Sequence, residues 1–261
     1  MIRFGSLLLT SLLASNVAMA EEETSNKNNT DAQSEEKKAI EGEFELGFIS
    51  TTGNTETSSL KSKLAVIHDL DHWRNNYQFS SFYKDETVEE NGVETTEVSA
   101  EKYFASVQGD YKLINNGSAL FLYASYEDDR FSGYNYQQSY ALGYSNQVLN
   151  NKVHKLNYNV GPGYSFSELN DGDTEEGGFL RLAVDYRYRI SENARFTQKI
   201  STQAAFESDD NTKSKSETGL AATLIGNLSI KAAITVDHNT NVPDDTEKTD
   251  TETSLSILYL F

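Results

Sequence analysis

Four histidines are the residues best suited to catalysis or to binding a transition metal: His68, His72, His154 and His238. They are scattered along the chain, and none falls in the H-E-x-x-H spacing of a zinc site. Cysteine is absent, so there is no thiolate nucleophile, disulfide or cysteine-ligated metal. No nucleophile-elbow motif supports a serine hydrolase. We therefore predict that the protein is not an enzyme, and that it has no catalytic, cofactor-binding or metal-binding residues.

Two acidic runs gather carboxylates that could hold Ca²⁺ or Mg²⁺: "NDGDTEE" at 170–176 and "PDDTE" at 243–247. Neither has the spacing of an EF-hand loop. One interpretation is a solvated acidic loop. The other is a weak ionic role, in which divalent cations bridge the acidic loops to anionic lipopolysaccharide.

The composition favours a folded β protein with an acidic surface. The net charge is −18 at pH 7, which argues against nucleic acid as a partner because that role calls for a clustered basic surface. The chain contains 15 Tyr and 13 Phe, residues that are enriched in strands and rare in disordered acidic chains.

The first 20 residues predict export from the cytoplasm. A basic start at Arg3, an apolar stretch from Leu7 to Leu13 and Ala18-Met19-Ala20 form a cleavable secretory signal peptide. The alternative, a transmembrane anchor, would need a longer apolar run. We predict three parts: a signal peptide over 1–20, a mobile polar tail over 21–40 and a folded body over 41–261.

The body alternates apolar and polar residues in stretches of roughly ten, separated by Gly, Asn, Asp and Ser. In "GFLRLAVDYRYRI", for example, Leu180, Leu182 and Val184 share one face while Arg181 and Asp185 share the other. The pattern predicts about twelve strands of the length needed for a tilted membrane strand. They start near Phe44, Ser59, Asn75, Val98, Ala119, Tyr134, Val153, Phe179, Ala194, Ser214, Leu228 and Thr251.

The connections between these strands alternate between longer, mostly acidic segments and short turns. Outer-membrane barrels sort their connections in this way, with short periplasmic turns and longer external loops. We predict an all-β fold, an antiparallel up-and-down transmembrane β-barrel with both termini on the periplasmic side. Within it we expect a bulge at Pro162, and we leave the register of "SALFLYASYE" open. Tyrosines near strand ends either form aromatic girdles or make ordinary cross-strand contacts, and they are Tyr134, Tyr136, Tyr164, Tyr188 and Tyr259.

The cost of placing a basic residue against lipid, about 2–4 kcal/mol at the midplane, decides which strand faces point inward. A barrel of about twelve strands is intermediate between filled and open barrels. The mixed charges therefore allow two interpretations, a small aqueous pore or a salt-bridged plug. The predicted lumen-lining residues are Lys61, Lys63, Arg181, Asp185, Arg187, Arg195, Lys199, Glu217 and Lys231.

The chain stops on an aromatic residue in a strand pattern, "SLSILYLF". Leu255, Ile257, Tyr259 and Phe261 alternate along one face that we expect to meet lipid. This ending resembles the C-terminal signature that the barrel assembly machinery reads, so we expect that machinery as a partner, together with outer-membrane lipid and lipopolysaccharide.

Residues 41–261 resemble the salt-induced outer membrane proteins, a domain family of unknown function. The resemblance is carried by "GFISTTGNTETSSL", "YEDDRFSG" at 126–133, "GYS" at Gly143 and "GPGY" at 161–164. It implies an outer-membrane barrel linked to salt or osmotic stress, and it brings no catalytic residues.

Three functions follow as hypotheses. The first is an outer-membrane barrel that acts as a small passive channel or in envelope maintenance. The second is a non-transporting structural barrel whose acidic loops interact with lipopolysaccharide and cations. The third is a soluble periplasmic β-barrel that binds a ligand.

Overall fold

The structure, a computed structural model, describes residues 40–51, 55–90, 93–113, 117–207, 210–242 and 247–261. The predicted signal peptide and almost all of the predicted tail lie outside these residues. Strands account for most of the described chain, and their observed starts lie within about five residues of the predicted ones. The strands are β1 (Ile40–Thr51), β2 (Thr55–Asp69), β3 (Trp73–Glu90), β4 (Val93–Lys112), β5 (Ser118–Asp129), β6 (Tyr134–Asn150), β7 (His154–Leu169), β8 (Thr174–Arg189), β9 (Ala194–Ala205), β10 (Lys213–Ile225), β11 (Leu228–Asn239) and β12 (Thr249–Leu260).

The twelve strands form one closed antiparallel barrel in which each strand pairs with its neighbours in sequence. β12 returns to pair with β1, from Glu43↔Leu260 to Gly47↔Ser256, and closes the sheet. Closure leaves no unpaired sheet edge, the condition that lipid imposes on a β structure. The predicted fold class is confirmed.

No helix in the described part of the chain is long and apolar enough to cross a membrane.

The outer surface of the barrel is apolar. Leu122, Leu142 and Leu182 are 62%, 59% and 48% exposed, and large apolar side chains stand exposed on every strand from β1 to β12. A soluble domain rarely exposes a continuous apolar surface of this extent, whereas a transmembrane barrel presents it to lipid. The protein is therefore a barrel of the outer-membrane type, and the soluble periplasmic alternative does not fit.

The connections define the two ends of the barrel. The turn end carries Ile40, Phe261 and the short connections at 70–72, 113–117, 151–153, 190–193 and 226–227. The loop end carries the other six connections, which include the acidic segments. Much of the acidic segment 85–96 continues as paired strand, because β3 and β4 remain in register to Glu90↔Val93. Long strands at the loop end thus supply part of the length that the sequence assigned to loops.

The segment "SALFLYASYE" has a definite register. Leu120 and Leu122 point outward, at 52% and 62% exposure, while Ala119 and Phe121 are buried inside. Phe121 packs in one interior cluster with Ala141 and Phe179. Both faces are apolar because one meets lipid and the other meets this internal cluster.

The bulge expected at Pro162 is absent, and that prediction is wrong. The β7–β8 ladder runs through Pro162↔Leu180 without a shift, and β6 and β7 keep one register on both sides of the proline. Instead, β6 and β7 approach closely at two glycines. A Cβ on Gly161 would lie 2.0 Å from the Leu142 carbonyl oxygen, and one on Gly143 would lie 2.3 Å from the Val160 carbonyl oxygen. The glycines let the two strands pass the proline without an extra residue.

The aromatic residues divide between the two faces of the barrel. Tyr164 and Tyr259 are exposed on the outer surface, as an interfacial girdle requires. Tyr134 does not belong to a girdle, because its ring is buried inside and its hydroxyl donates to Glu175 at 3.1 Å.

Candidate functional site: the charged interior of the barrel

A buried group of alternating charges lies inside the barrel beside the closing strands. We call Glu45, Lys63, Glu217 and Lys231 the seam cluster. Lys231 Nζ lies 2.8 Å from Glu45 Oε2 and 2.9 Å from Glu217 Oε1, and Lys63 Nζ lies 2.7 Å from Glu217 Oε2. The Ser256 hydroxyl donates to Glu45 Oε1 at 2.7 Å. Each charge therefore meets an opposite charge.

The register of the barrel explains why these side chains meet. Glu45 of β1 pairs with Lys63 of β2, and Lys231 of β11 pairs with Ser256 of β12. Glu217 reaches them from β10. The four charged residues are between 2% and 8% exposed. Burial at this depth is tolerated only because each charge is paired and hydrogen-bonded.

A second group of charges continues from the seam cluster toward the turn end. Lys199 Nζ lies 3.8 Å from Glu43 Oε1 and 4.0 Å from Asp185 Oδ2, and Arg187 Nε lies 3.4 Å from Asp185 Oδ1. Their side chains retain 21–29% of their exposure. Arg195 also belongs to this inward row, and its Nε has no hydrogen-bond partner in the described structure. The ion pairs of this second group are longer than those of the seam cluster, and their side chains are more exposed to solvent.

A third group lies toward the loop end. Lys102 Nζ bridges Glu127 at 3.2 Å and Asp129 at 3.3 Å. Lys215 pairs with Asp237 at 2.8 Å. Lys61 pairs with Glu252. The first three contacts join adjacent strands, and the Lys61–Glu252 pair joins β2 and β12 on either side of β1.

A cavity of about 400 Å³ occupies the interior, and its lining reaches from Asp185 and Lys199 past the seam cluster to residues near the loop end. Its lining includes Lys63 and Glu217 as well as Lys213 and Asn239 near the loop end. Among the described residues, seven lysine or arginine side chains and five aspartates or glutamates line the cavity, so this lining has a positive excess in a protein of net charge −18. These charged lining residues are Lys61, Lys63, Lys102, Arg181, Lys199, Lys213, Lys215, Glu127, Asp185, Glu217, Asp237 and Glu252.

The opposite wall of the lumen is partly apolar. Tyr123 packs on the interior cluster of Phe121, Ala141 and Phe179. The Arg181 guanidinium lies over the Tyr123 ring, 3.7 Å from its centroid, in a cation–π contact. This wall therefore holds one cation, Arg181, against an aromatic ring inside the lumen.

All nine residues predicted to line the lumen lie on the inward face in the structure. Lys63, Glu217 and Lys231 come together in the seam cluster. Asp185, Arg187, Arg195 and Lys199 form the group nearer the turn end, Lys61 lies in the group nearer the loop end, and Arg181 lies on the apolar wall. Whether these positions carry a function stays a prediction.

The sequence analysis did not find a second buried polar group. Ser145 donates to Asp110 at 2.6 Å, and Asn76 and Gln108 donate to the same carboxylate at 3.1–3.2 Å. Asp110 is buried, and it lies in a strand of the predicted pattern. The sequence alternation around Asp110 could have predicted its position. Val107 and Tyr111 face outward, so Asp110 faces inward.

Two carboxylates of the acidic run at 170–176 accept hydrogen bonds. Asp171 Oδ1 accepts from the Asp173 amide at 3.0 Å, and Glu175 accepts from Tyr134. The histidines are engaged singly, His154 with the Tyr186 hydroxyl and His238 with Thr249. No group of three His, Asp or Glu side chains arranged for a metal ion occurs within the described ranges. Most of the second acidic run, at 243–246, lies outside them.

Residues 44–261 match the family described as "Protein of unknown function, DUF481". The chain belongs to the DUF481 family. The predicted membership of an uncharacterised family is confirmed at this level. Two of the motifs that carried the resemblance begin at Gly143 and Gly161. At these glycines β6 and β7 lie too close together to leave room for a Cβ atom.

Individual proteins that are similar to this chain include an uncharacterised protein and solved outer-membrane proteins. This DUF481 chain is 29% identical over 224 residues to an uncharacterised Escherichia coli K12 protein, YdiY, covering 85% of the chain and 84% of YdiY. An outer membrane channel from Pseudomonas putida F1 aligns with a TM-score of 0.49 at 10% identity, covering 89% of this chain and 100% of the channel. The NanC porin aligns with a TM-score of 0.47 at 11% identity, covering 85% and 98%. Likenesses at these TM-scores carry no functional conclusion.

Proposed function

We propose that this DUF481 protein is a narrow passive channel of the outer membrane for small hydrophilic solutes. The observation that carries the proposal is the partial exposure of the inward charges on both sides of the seam cluster. The side chains of Lys61, Lys199 and Arg187 are 17%, 27% and 26% exposed while they point into the barrel. Water therefore has access to charged surface toward both ends of the lumen.

The seam cluster and the apolar wall restrict this passage to small solutes. Rows of opposite charges in a narrow lumen replace part of the hydration of an ion without binding it too tightly to leave. An eight-stranded barrel is filled by side chains and a sixteen-stranded one is open, so twelve strands leave an intermediate width. The proposal therefore predicts a conductance well below that of a large porin.

Planar-bilayer recording of the purified chain tests this proposal. Wild-type protein is expected to give small, stepwise currents. Lys199→Trp places a bulky ring in the lumen and is expected to lower the conductance about twofold or more, because the Lys199 side chain lines the cavity. Leu220→Trp is the matched control, since Leu220 is 52% exposed on the outer face and its ring would enter lipid. A silent wild type would refute the channel, and equal conductance of the two variants would show that the current does not pass the side chain of residue 199.

The second candidate function is a non-transporting structural barrel. The observation that favours it is the seam cluster itself, which joins β1, β2, β10 and β11 by charges that are hardly exposed. In this function the acidic loop end binds divalent cations beside lipopolysaccharide. A silent bilayer together with raised sensitivity of a deletion strain to EDTA would support it. Normal EDTA sensitivity would count against it.

We also propose, from the resemblance, that the channel acts in salt or osmotic stress, and that catalysis has no part in its function. A deletion strain grown in high salt tests the stress role. Rescue by the wild type but not by Lys199→Trp would connect the stress role with passage through the lumen. Equal growth of the deletion and parent strains would refute it.

A further inference from the structure

The acidic side chains that line the cavity all have cationic partners. Glu127, Glu217 and Glu252 pair with Lys102, Lys63 and Lys61. Asp237 pairs with Lys215, and Asp185 with Arg187. Two of the seven cations that line the cavity, by contrast, have no carboxylate within ion-pair distance among the described residues.

The two cations are Arg181 and Lys213. The strand register places them, with Gln203 between them, in one row across β8, β9 and β10, which we call the row. Arg181 of β8 pairs with Gln203 of β9, which pairs in turn with Lys213 of β10. Neighbouring strands lie about 4.8 Å apart, so the Cα atoms of the two cations are about 10 Å apart. Their long side chains can converge on a small ligand between them, and all three residues line the cavity.

Arg181 is held in place without a counter-ion. It is 8% exposed, its guanidinium lies on the Tyr123 ring, and its Nε–H has no acceptor in the described structure. A buried charge with an unused donor is unfavourable unless an anion or acceptor satisfies it. An anion bound in the adjoining cavity would satisfy this charge and this donor.

The polar neighbours of the row are oriented to leave further donors available. The Ser139 hydroxyl donates to Gln203 Oε1 at 3.1 Å, which occupies the oxygen of that amide and leaves its NH₂ group. Lys213 donates to Gln137 Oε1, which leaves the NH₂ group of Gln137 in the same way. Amide donors beside two cations suit a ligand that carries several acceptor oxygens.

We propose that Arg181, Gln203 and Lys213 form a binding site for a small oxyanion, a phosphate or a carboxylate, within the lumen. A planar guanidinium and an ammonium group bind such oxygens by charge-assisted hydrogen bonds. A role of this site in the passage of solutes rests on the proposed channel function. Binding of the oxyanion does not depend on it.

Two carboxylates whose charge acts on Lys213, Glu127 and Glu175, do not neutralise the row. Glu127 is held by Lys102 at 3.2 Å, and Glu175 accepts from the Tyr134 hydroxyl at 3.1 Å. Lys213 Nζ lies 5.9 Å from the centroid of the Tyr134 ring, so it stands near this pair without joining it. The positive charge of the row therefore remains directed at the cavity.

Calorimetric titration of the folded full chain with inorganic phosphate, in an uncharged detergent, tests the site. Arg181→Gln is expected to weaken phosphate binding about tenfold or more, because it removes the charged fork. Lys213→Gln is expected to weaken it by several-fold and provides a second test if the first variant does not fold. Lys215→Gln is the matched control, since it removes the same charge from the same cavity but leaves the row intact. Heat-modifiable gel mobility establishes that each variant is folded.

Binding by the wild type that is weakened by Arg181→Gln and Lys213→Gln but nearly unchanged by Lys215→Gln supports the site. Absence of binding by the wild type, or equal weakening by all three variants, overturns it, since the second result would report only net charge.

Parallel bilayer recordings separate this proposal from the channel. A silent bilayer with intact phosphate binding refutes the channel and retains the site. A conducting wild type that binds no phosphate, and whose chloride current phosphate does not reduce, retains the channel and refutes the site.

Discussion

The seam cluster shows how individual buried charges are tolerated within a barrel. Lys231 lies between two carboxylates, Glu45 at 2.8 Å and Glu217 at 2.9 Å, and Ser256 donates to Glu45. Taking such charges out of water is costly, and pairing offsets the cost. Because the pairs are mutually dependent, losing one member leaves an uncompensated charge in the interior.

We predict that Lys231→Met lowers the free energy of unfolding by about 3–5 kcal/mol, because Glu45 loses its lysine and Glu217 loses one of two. Lys84→Met is the control. Lys84 pairs with Glu86 near the loop end with both side chains about one-third exposed, and such a pair contributes only about 0–1 kcal/mol. Urea unfolding of the refolded barrel in lipid vesicles measures both. Similar unfolding midpoints for the two variants would contradict the structural role of the cluster.

Among the pairs of neighbouring strands, β1 and β12 form the shortest hydrogen-bonded ladder. β1 and β12 share five Cα pairs, far fewer than other neighbouring strands, and the backbones of Gly42 and Phe261 add two hydrogen bonds at 2.9 and 3.0 Å. The Phe261 ring also covers Gly42, where a Cβ would lie 2.1 Å from the ring. Leu255, Ile257, Tyr259 and Phe261 all face outward, at 41–55% exposure. Phe261 therefore belongs to the closure of the barrel.

We predict that deletion of Phe261 lowers assembly into the outer membrane more than Phe206→Ala does. The deletion removes the last hydrogen-bonded pair of the seam and the residue that we expect the assembly machinery to read. Phe206 is an exposed aromatic control just beyond β9, at 63% exposure. The amount of heat-modifiable protein in outer-membrane fractions measures the difference. Equal assembly of the two variants would argue against a role for the terminal residue.

At the scale of the whole molecule, apolar, positive and acidic surfaces occupy different places. The outside of the barrel is apolar, the cavity has a positive excess, and the complete chain has a net charge of −18. The acidic charge is thus concentrated away from the cavity. The proposed oxyanion site would therefore give an anion a positive environment inside an acidic protein, an environment that the net charge alone would oppose.

We predict that the full-length protein fractionates with the outer membrane and migrates faster on gels before heating than after it. A closed barrel whose outer face is apolar partitions into lipid and stays folded in mild detergent. A soluble periplasmic protein in the same extract serves as the fractionation control. Release of the chain with the soluble periplasm would contradict the lipid-facing surface.

The sequence by itself determined the architecture, because period-2 alternation is a local property. Each residue of a strand faces either lipid or lumen, and the cost of a charge in lipid decides which. Leu182 and Arg181 could therefore be assigned to opposite faces from neighbouring residues alone. Twelve such strands and alternating connections then predicted the barrel.

Only the tertiary structure decided which inward residues meet. Lys231 and Glu45 are 186 residues apart and touch because β12 closes against β1 in one particular register. The inward turn of Phe121 and the passage of Pro162 depend on glycines in neighbouring strands. Pairing across a closed sheet is non-local, so alternation placed Arg181 inside, but only the complete barrel showed that it has no carboxylate partner there among the residues that the structure describes.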